Sequence, residues 1–228
     1  MSDEIPYRIR RSPRARRVRV SVDAEAGVEV VLPARAREAE AATAIRELGP
    51  WVRRRLGQLE SARAELGVPP GAVPYLGEAL WLRAERGRSR VSRRGDALLV
   101  PAGDARPALE RWYRRRARAE LGPRLDAACA RAGTGYDRLT IRSQRTRWAS
   151  CSTSGAMSFN WRLLLAPAPV VDAVVWHEVC HLEVADHSPR FWSLLLSRCP
   201  DYRVHQRWLR RYGPALVLPA PSARRSAS

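Results

Sequence analysis

Val170-Val-Asp-Ala-Val-Val-Trp-His177-Glu178-Val-Cys-His181-Leu-Glu-Val-Ala-Asp-His187 is the stretch on which the reading of this chain turns. Its apolar lead-in, Val170, Val171, Val174, Val175 and Trp176, predicts a buried helix that starts at Pro169 and runs to Asp186. Positions i and i+4 of a helix project from one face a turn apart, so His177 and His181 can reach a single ion. Glu178, offset around the helix, then sits beside that ion, placed to accept a proton from water. A catalytic site takes a third protein ligand and keeps its fourth position for water. His187 follows the expected helix end, where Ser188-Pro189 fits an N-cap and a proline at the first position of a new helix. Glu183, two residues past His181, points away from the histidine face, and Asp186 stays open as the alternative to His187. His205, the fourth histidine of the chain, reads as a surface residue.

Charge places the same stretch apart. The 228 residues hold 41 basic and 23 acidic side chains, a net charge of +18, and every basic residue is arginine. Arginine and alanine enrichment without lysine is the pattern a base-composition bias in the coding DNA produces, so the charge by itself assigns no function. A weak association with nucleic acid through the arginine-rich surface is the expectation it leaves. Residues 168–188 contain no arginine but hold Asp172, Glu178, Glu183 and Asp186, so the segment spared positive charge is the one read as holding a cation. A hydrophobic content of 45% excludes a wholly disordered chain. No apolar run reaches the roughly 18 residues of a membrane span. The first residues carry seven arginines from Arg8 to Arg19 and no apolar leader, which makes the cytoplasm the expected location. Cys129, Cys151, Cys180 and Cys199 show no paired close spacing and read as free thiols.

Working outward, Val18, Val20 and Val22 alternate ahead of a turn at Asp23–Gly27 and a second strand from Val28 to Leu32, a β-hairpin. Residues 34–65 have helical composition, interrupted at Gly49-Pro50. Two more strands are expected at Tyr75–Arg83 and Ala97–Val100, then a boundary loop at Pro101–Pro107. A long basic helix, Ala108–Arg131, carries a break at Gly122-Pro123. Asp137–Arg147 and Ala156–Leu165 read as paired strands around a Ser/Gly turn, and helices are expected up to Ser197 and over Asp201–Tyr212. The division that follows is an N-terminal β-rich subdomain with one helical segment (1–103), a C-terminal helical domain (104–213) and a disordered tail (214–228).

The arginine-bearing hairpin, with Arg142, Arg145 and Arg147, can serve in two ways. Its edge strand could take an extended peptide by β-addition, or its arginines could clamp a phosphate chain. Hydrolysis of a peptide bond and of a phosphoanhydride both suit the ligand set, and Zn2+ is the expected ion. A structural zinc in a nucleic-acid-associated protein is the third reading; it needs a fourth protein ligand, and Cys180 lies to one side of His177 on the helix.

These residues resemble a known family. The His-Glu-x-x-His helix with His187 and Ser188-Pro-Arg-Phe-Trp192, preceded by Arg147-Trp-Ala-Ser-Cys-Ser152 and Asn160-Trp-Arg-Leu163, is similar to the YgjP-like metallopeptidases, relatives of the SprT-like and WLM zinc proteases. The resemblance extends to Tyr7–Val20, Trp51–Leu56 and Tyr75-Leu-Gly77. It implies an α+β, zincin-like metallopeptidase fold, zinc on His177, His181 and His187, and Glu178 as catalytic base. Arg142, Arg145, Arg147 and Asn160 become candidate substrate-binding residues. The implied substrate is a peptide or protein, with nucleoside triphosphate (UTP) pyrophosphatase activity as the alternative. The family usually places glycine where this chain has Ala149, so a strained turn is expected there if φ is positive.

Overall fold

The computed structural model describes residues 4–144 and 147–219, a mixed α+β chain that divides into two compact units at Gly67–Val68. In the first unit the expected hairpin is present. Strands β2 (Arg19–Asp23) and β3 (Gly27–Pro33) are antiparallel with Val20 opposite Val30, and β1 (Tyr7–Ser12) lies parallel to β3 on its other side. The central strand packs Val28, Val30 and Leu32 against Ala41, Ile45 and Val52 of helix α1 (Ala39–Leu66). Glu29, on its opposite face, is buried and takes ion pairs from Arg8 and Arg10 at 3.1 Å each.

The interruption expected at Gly49-Pro50 does not occur: α1 runs through Pro50. A proline inside a helix costs ~3 kcal/mol or more through its missing donor and ring clash. Here the buried stripe Ala41, Ile45, Gly49, Val52, Leu59, Ala62 keeps helical spacing across the proline, and tertiary packing outweighs the local penalty.

The second unit begins with β4 (Ala72–Tyr75), β5 (Glu78–Glu85), β6 (Ser92–Arg94) and β7 (Ala97–Pro101), in the order β4-β5-β7-β6. The stretch expected as one strand, Tyr75–Arg83, is the end of β4, a two-residue turn and β5. Leu76 (φ 53°) and Gly77 (φ 99°) both occupy the left-handed region that a tight hairpin of matching twist requires. Leu76 is held there by donating its N–H to Leu164 O at 2.8 Å and accepting from Ala168 N–H at 3.2 Å. The hairpin tip is thus bonded to the segment that leads into the His177 helix.

Those bonds also correct the expected division at residue 103. The four-stranded sheet belongs with the helices that follow it, because Tyr113 donates to Pro74 O at 2.6 Å and Tyr75 to Glu120 Oε1 at 2.9 Å, within an aromatic cluster of Tyr75, Trp112, Tyr113 and Trp161. Helix α2 (Arg106–Ala132) continues through Gly122-Pro123, with Leu121 and Leu125 buried on either side.

Strands β8 (Arg138–Arg142), β9 (Ala149–Cys151) and β10 (Ala156–Asn160) form a sheet ordered β8-β10-β9. The expected pairing is corrected here. β8 lies parallel to β10, and the hairpin is made by the short β9, antiparallel to β10. β9 is therefore an edge. Trp161–Leu165 is a 3-10 turn rather than strand, capped by Asn160 Oδ1 accepting from Arg162 N–H at 3.1 Å. Helices α3 (Ala168–Cys180), α4 (Pro189–Arg198) and α5 (Tyr202–Tyr212) complete the unit. The expected tail is ordered at its start: Ala215, Leu216 and Leu218 are buried, since their apolar side chains find cover despite the flanking prolines. Residues 220–228 lie outside the described residues. No helix among the described residues is long and apolar enough to cross a membrane.

Candidate metal centre

The valine run does what its composition dictates: Val170, Val171, Val174, Val175 and Val179 are all buried, which fixes the rotation of α3 and the direction of its histidines. The helix ends at Cys180, not at Asp186. His181 is its C-cap and still right-handed helical (φ −69°, ψ −16°), so the one-turn relation to His177 survives. The chain then turns at once, with Val184 N–H donating to Cys180 O at 3.0 Å, and doubles back. This early exit brings in His187. Its Nε2 lies 3.1 Å from His177 Nε2, and His181 Nε2 lies 3.3 Å from the same atom.

Ligand atoms of the three histidines all fall within 4.8 Å of one another, a group that could hold one metal ion. The protonation pattern fits. His181 Nδ1 is 3.1 Å from Val184 O, which can only accept, so Nδ1 carries the hydrogen and Nε2 the lone pair. His177 Nδ1 is 2.9 Å from the Tyr202 hydroxyl. For His177 Nε2 to offer its lone pair, Nδ1–H must donate to Tyr202, and the phenol oxygen is placed to accept it. Burial, aided by the two neighbouring histidines, pushes His177 down to about 3, and burial lowers His181. Both rings are neutral at pH 7.

Glu178 is 5% exposed. The Cys151 N–H donates to its carboxylate, while Oε2 is the one buried side-chain oxygen or nitrogen without a partner among the described residues. Burial raises its pKa from 4.5 to about 7, opposed by the Cys151 N–H and the charge of Arg147. Such an oxygen is costly to bury unless a ligand or water meets it.

Phe191, the first aromatic of α4, is the support beneath the three rings, with centroids 5.1, 4.5 and 4.8 Å from those of His177, His181 and His187. It is fully buried. Phe191→Ala is expected to destabilise the protein by about 3–5 kcal/mol in urea unfolding. A change below about 1 kcal/mol would show that the rings stand without it.

The family model for the YgjP-like metallopeptidase domain matches residues 16–212. The chain belongs to the YgjP-like metallopeptidases. It matches no curated protein and no solved structure. Membership makes this YgjP-like chain a hydrolase of a family that implies a metal ion, and the histidine triad is where the ion could sit.

The remaining candidate site residues of the YgjP-like domain separate. Arg147 lines the cleft on both sides of Glu178. Arg142 is exposed at the end of β8, on the far side of β10 from β9, and lines neither half of the cleft. Arg145 lies outside the described residues. Asn160 is buried and spends its side chain on the backbone, donating to Gln144 O at 2.6 Å and Arg147 O at 3.4 Å. It fixes the segment that carries Arg147. Ala149 is unstrained: Leu76 alone among the described non-glycine residues has positive φ, and Ala149 sits in the extended β9. Tyr202, and the place of Phe191 beneath the rings, have no signal in spacing or residue type, because each side chain comes from a separate helix; Phe191 stands in the sequence only as part of the Ser188–Trp192 motif.

Proposed function

We propose that this chain is a zinc-dependent hydrolase that cleaves peptide bonds, with zinc on His177, His181 and His187 and Glu178 as general base. The observation that carries the reading is the convergence of three imidazole nitrogens beside a buried carboxylate oxygen that has no partner among the described residues. His177, His181 and His187 would hold the ion, their ligand atoms lying within 4.8 Å of one another, with His177 Nε2 at 3.1 and 3.3 Å from the other two. Zinc bound there supplies Lewis acidity, lowering the pKa of water to about 7 and polarising a carbonyl. Glu178 takes the proton of the attacking water at Oε2 and returns it to the leaving amine. The Cys151 N–H holds the other carboxylate oxygen and so aims Oε2. β9, the edge strand beside α3, offers backbone groups to an extended substrate, as a zincin-like arrangement requires. Four free thiols suit a reducing compartment such as the cytoplasm.

Tyr202 orients His177, since its ring also stacks on the imidazole at 5.5 Å and 18°. Tyr202→Phe removes the acceptor for Nδ1–H and is expected to weaken zinc about 10–100-fold in chelator competition. Unchanged affinity would remove Tyr202 from this role.

The test is digestion of an unstructured polypeptide by zinc-loaded protein, run beside pyrophosphate release from a panel of nucleoside triphosphates. Peptide cleavage that disappears on chelation is the expected result. Pyrophosphate release without peptide cleavage would replace this reading with a nucleotide hydrolase on the same centre. Nucleic-acid association through the arginine-rich surface is a separate proposal, expected as weak binding with steep salt dependence.

A further inference from the structure

The cleft has two halves that share Arg147, Ala149, His177 and Glu178. One, beside Ser150–Thr153, holds His181 and His187. The other, of about 320 Å³, opens toward α5 and has His177 as its single histidine of the metal group. Its walls are apolar: Ala173 and Val174 of α3, Leu209 of α5 and Trp148. Trp148 is backed closely by Gly213, where even a Cβ would come within 2.8 Å of the indole, so that wall has little room to shift. The rim is cationic and rich in donors, with Arg147 on one side and His205, Gln206 and Arg210 on the other.

Two features mark this rim. Several arginines of the unit are paired with carboxylates, Arg114 with Glu110, Arg116 with Glu120, Arg124 with Glu120 and Asp172, Arg198 with Glu183. Among the described residues neither Arg147 nor Arg210 has a carboxylate within ion-pair distance. The pocket's single acid is Glu178, whose free oxygen the proposed chemistry uses. Both guanidinium charges reach the interior, Arg147 acting on Glu178 and Arg210 on Tyr202. An apolar pocket with two uncompensated cations at its mouth lacks an anion on a short aliphatic stem.

We propose that this pocket is a specificity site for an acidic residue flanking the scissile bond, glutamate above all. The stem packs on Trp148, Val174 and Leu209, and the carboxylate lies between Arg147 and Arg210. Glutamine has the same shape without the charge and is disfavoured; lysine is repelled. The inference rests on the peptide-hydrolase reading, and its test separates the two.

Zinc-loaded Glu178→Gln protein, which binds without turning over, is titrated with labelled peptide pairs that differ only as glutamate against glutamine at the flanking positions. At one position the glutamate peptide is expected to bind about tenfold more tightly, with the preference shrinking as salt is raised. Adding Arg210→Ala should cut that preference to a few-fold, because Arg147 remains, and Arg210→Glu, which balances the charge of Arg147, should cancel it. Equal affinities for each glutamate and glutamine pair, or a preference unmoved by both Arg210 variants, would overturn the pocket assignment. In parallel, wild-type protein digests a peptide library whose cut sites are read by mass spectrometry. Acid preference in binding with no cleavage anywhere would overturn the peptide-hydrolase reading and leave the pocket standing.

Discussion

Zinc-loaded Glu178→Ala protein is expected to lose about 10²–10⁴-fold in kcat while keeping the zinc stoichiometry of the wild type. Glu178 contributes no atom to the histidine group, so the ion has no reason to leave. What disappears is the acceptor for the proton of water, at the buried oxygen that nothing among the described residues satisfies. The same observation fixes the effect on folding. Removing a buried carboxylate with an orphaned oxygen relieves a desolvation penalty, so the metal-free variant is expected to be at least as stable as the metal-free wild type. Thermal unfolding of both apo proteins measures that, and steady-state hydrolysis measures the first effect. Activity within a few-fold of wild type would remove Glu178 from the mechanism.

The second large effect concerns the ligands. Structural zinc sites with four ligands bind with about 10–16 kcal/mol, which puts ~3 kcal/mol, over a hundredfold in affinity, on each ligand. His181→Ala is expected to reach that size, because beyond the histidine group the ring only bonds the Val184 carbonyl and stacks on Phe191, contacts that hold no metal. His187→Ala should match it. Its ring is exposed, so a merely structural histidine at this place would leave metal content untouched. Zinc per chain after dialysis against a weak chelator checks both variants. The stabilisation that zinc gives the wild type, RT ln(1 + [Zn]/Kd), should shrink in step. Full zinc retention in either variant would take that residue out of the ligand set.

The centre was legible because its information is local. His177, Glu178 and His181 lie within five residues on a helix whose buried face is written in valines. The β2–β3 hairpin was legible for the same reason, alternation around a short turn. Most features that spacing does not show involve partners distant in sequence; the early end of α3 at Cys180, made by a local turn, is the exception. Gly49-Pro50 and Gly122-Pro123 look like breaks until the packing of α1 and α2 is known. The parallel pairing of β8 with β10 has no signature in either strand, since periodicity gives faces and not neighbours. The Leu76-Gly77 turn lacks the usual asparagine or aspartate at its first position, and tertiary bonds to Leu164 and Ala168 supply what the local sequence omits. Tyr202 and Phe191 reach His177 from α5 and α4, and only the folded chain brings them there.

The domain division failed on physical grounds too. The loop at Pro101–Pro107 has the composition of a linker, yet Tyr75 and Tyr113 bond across it. Gly67, a left-handed C-cap (φ 61°), is the sharper punctuation, ending α1 where the first unit ends.

The most direct single measurement is the zinc K-edge X-ray absorption spectrum of the loaded wild-type protein. Three imidazole nitrogens and one further light atom at about 2.0–2.1 Å, with no sulfur, is the predicted result, the open centre of a hydrolase. Sulfur at about 2.3 Å, from Cys151 or Cys180, would describe a closed structural site and contradict it.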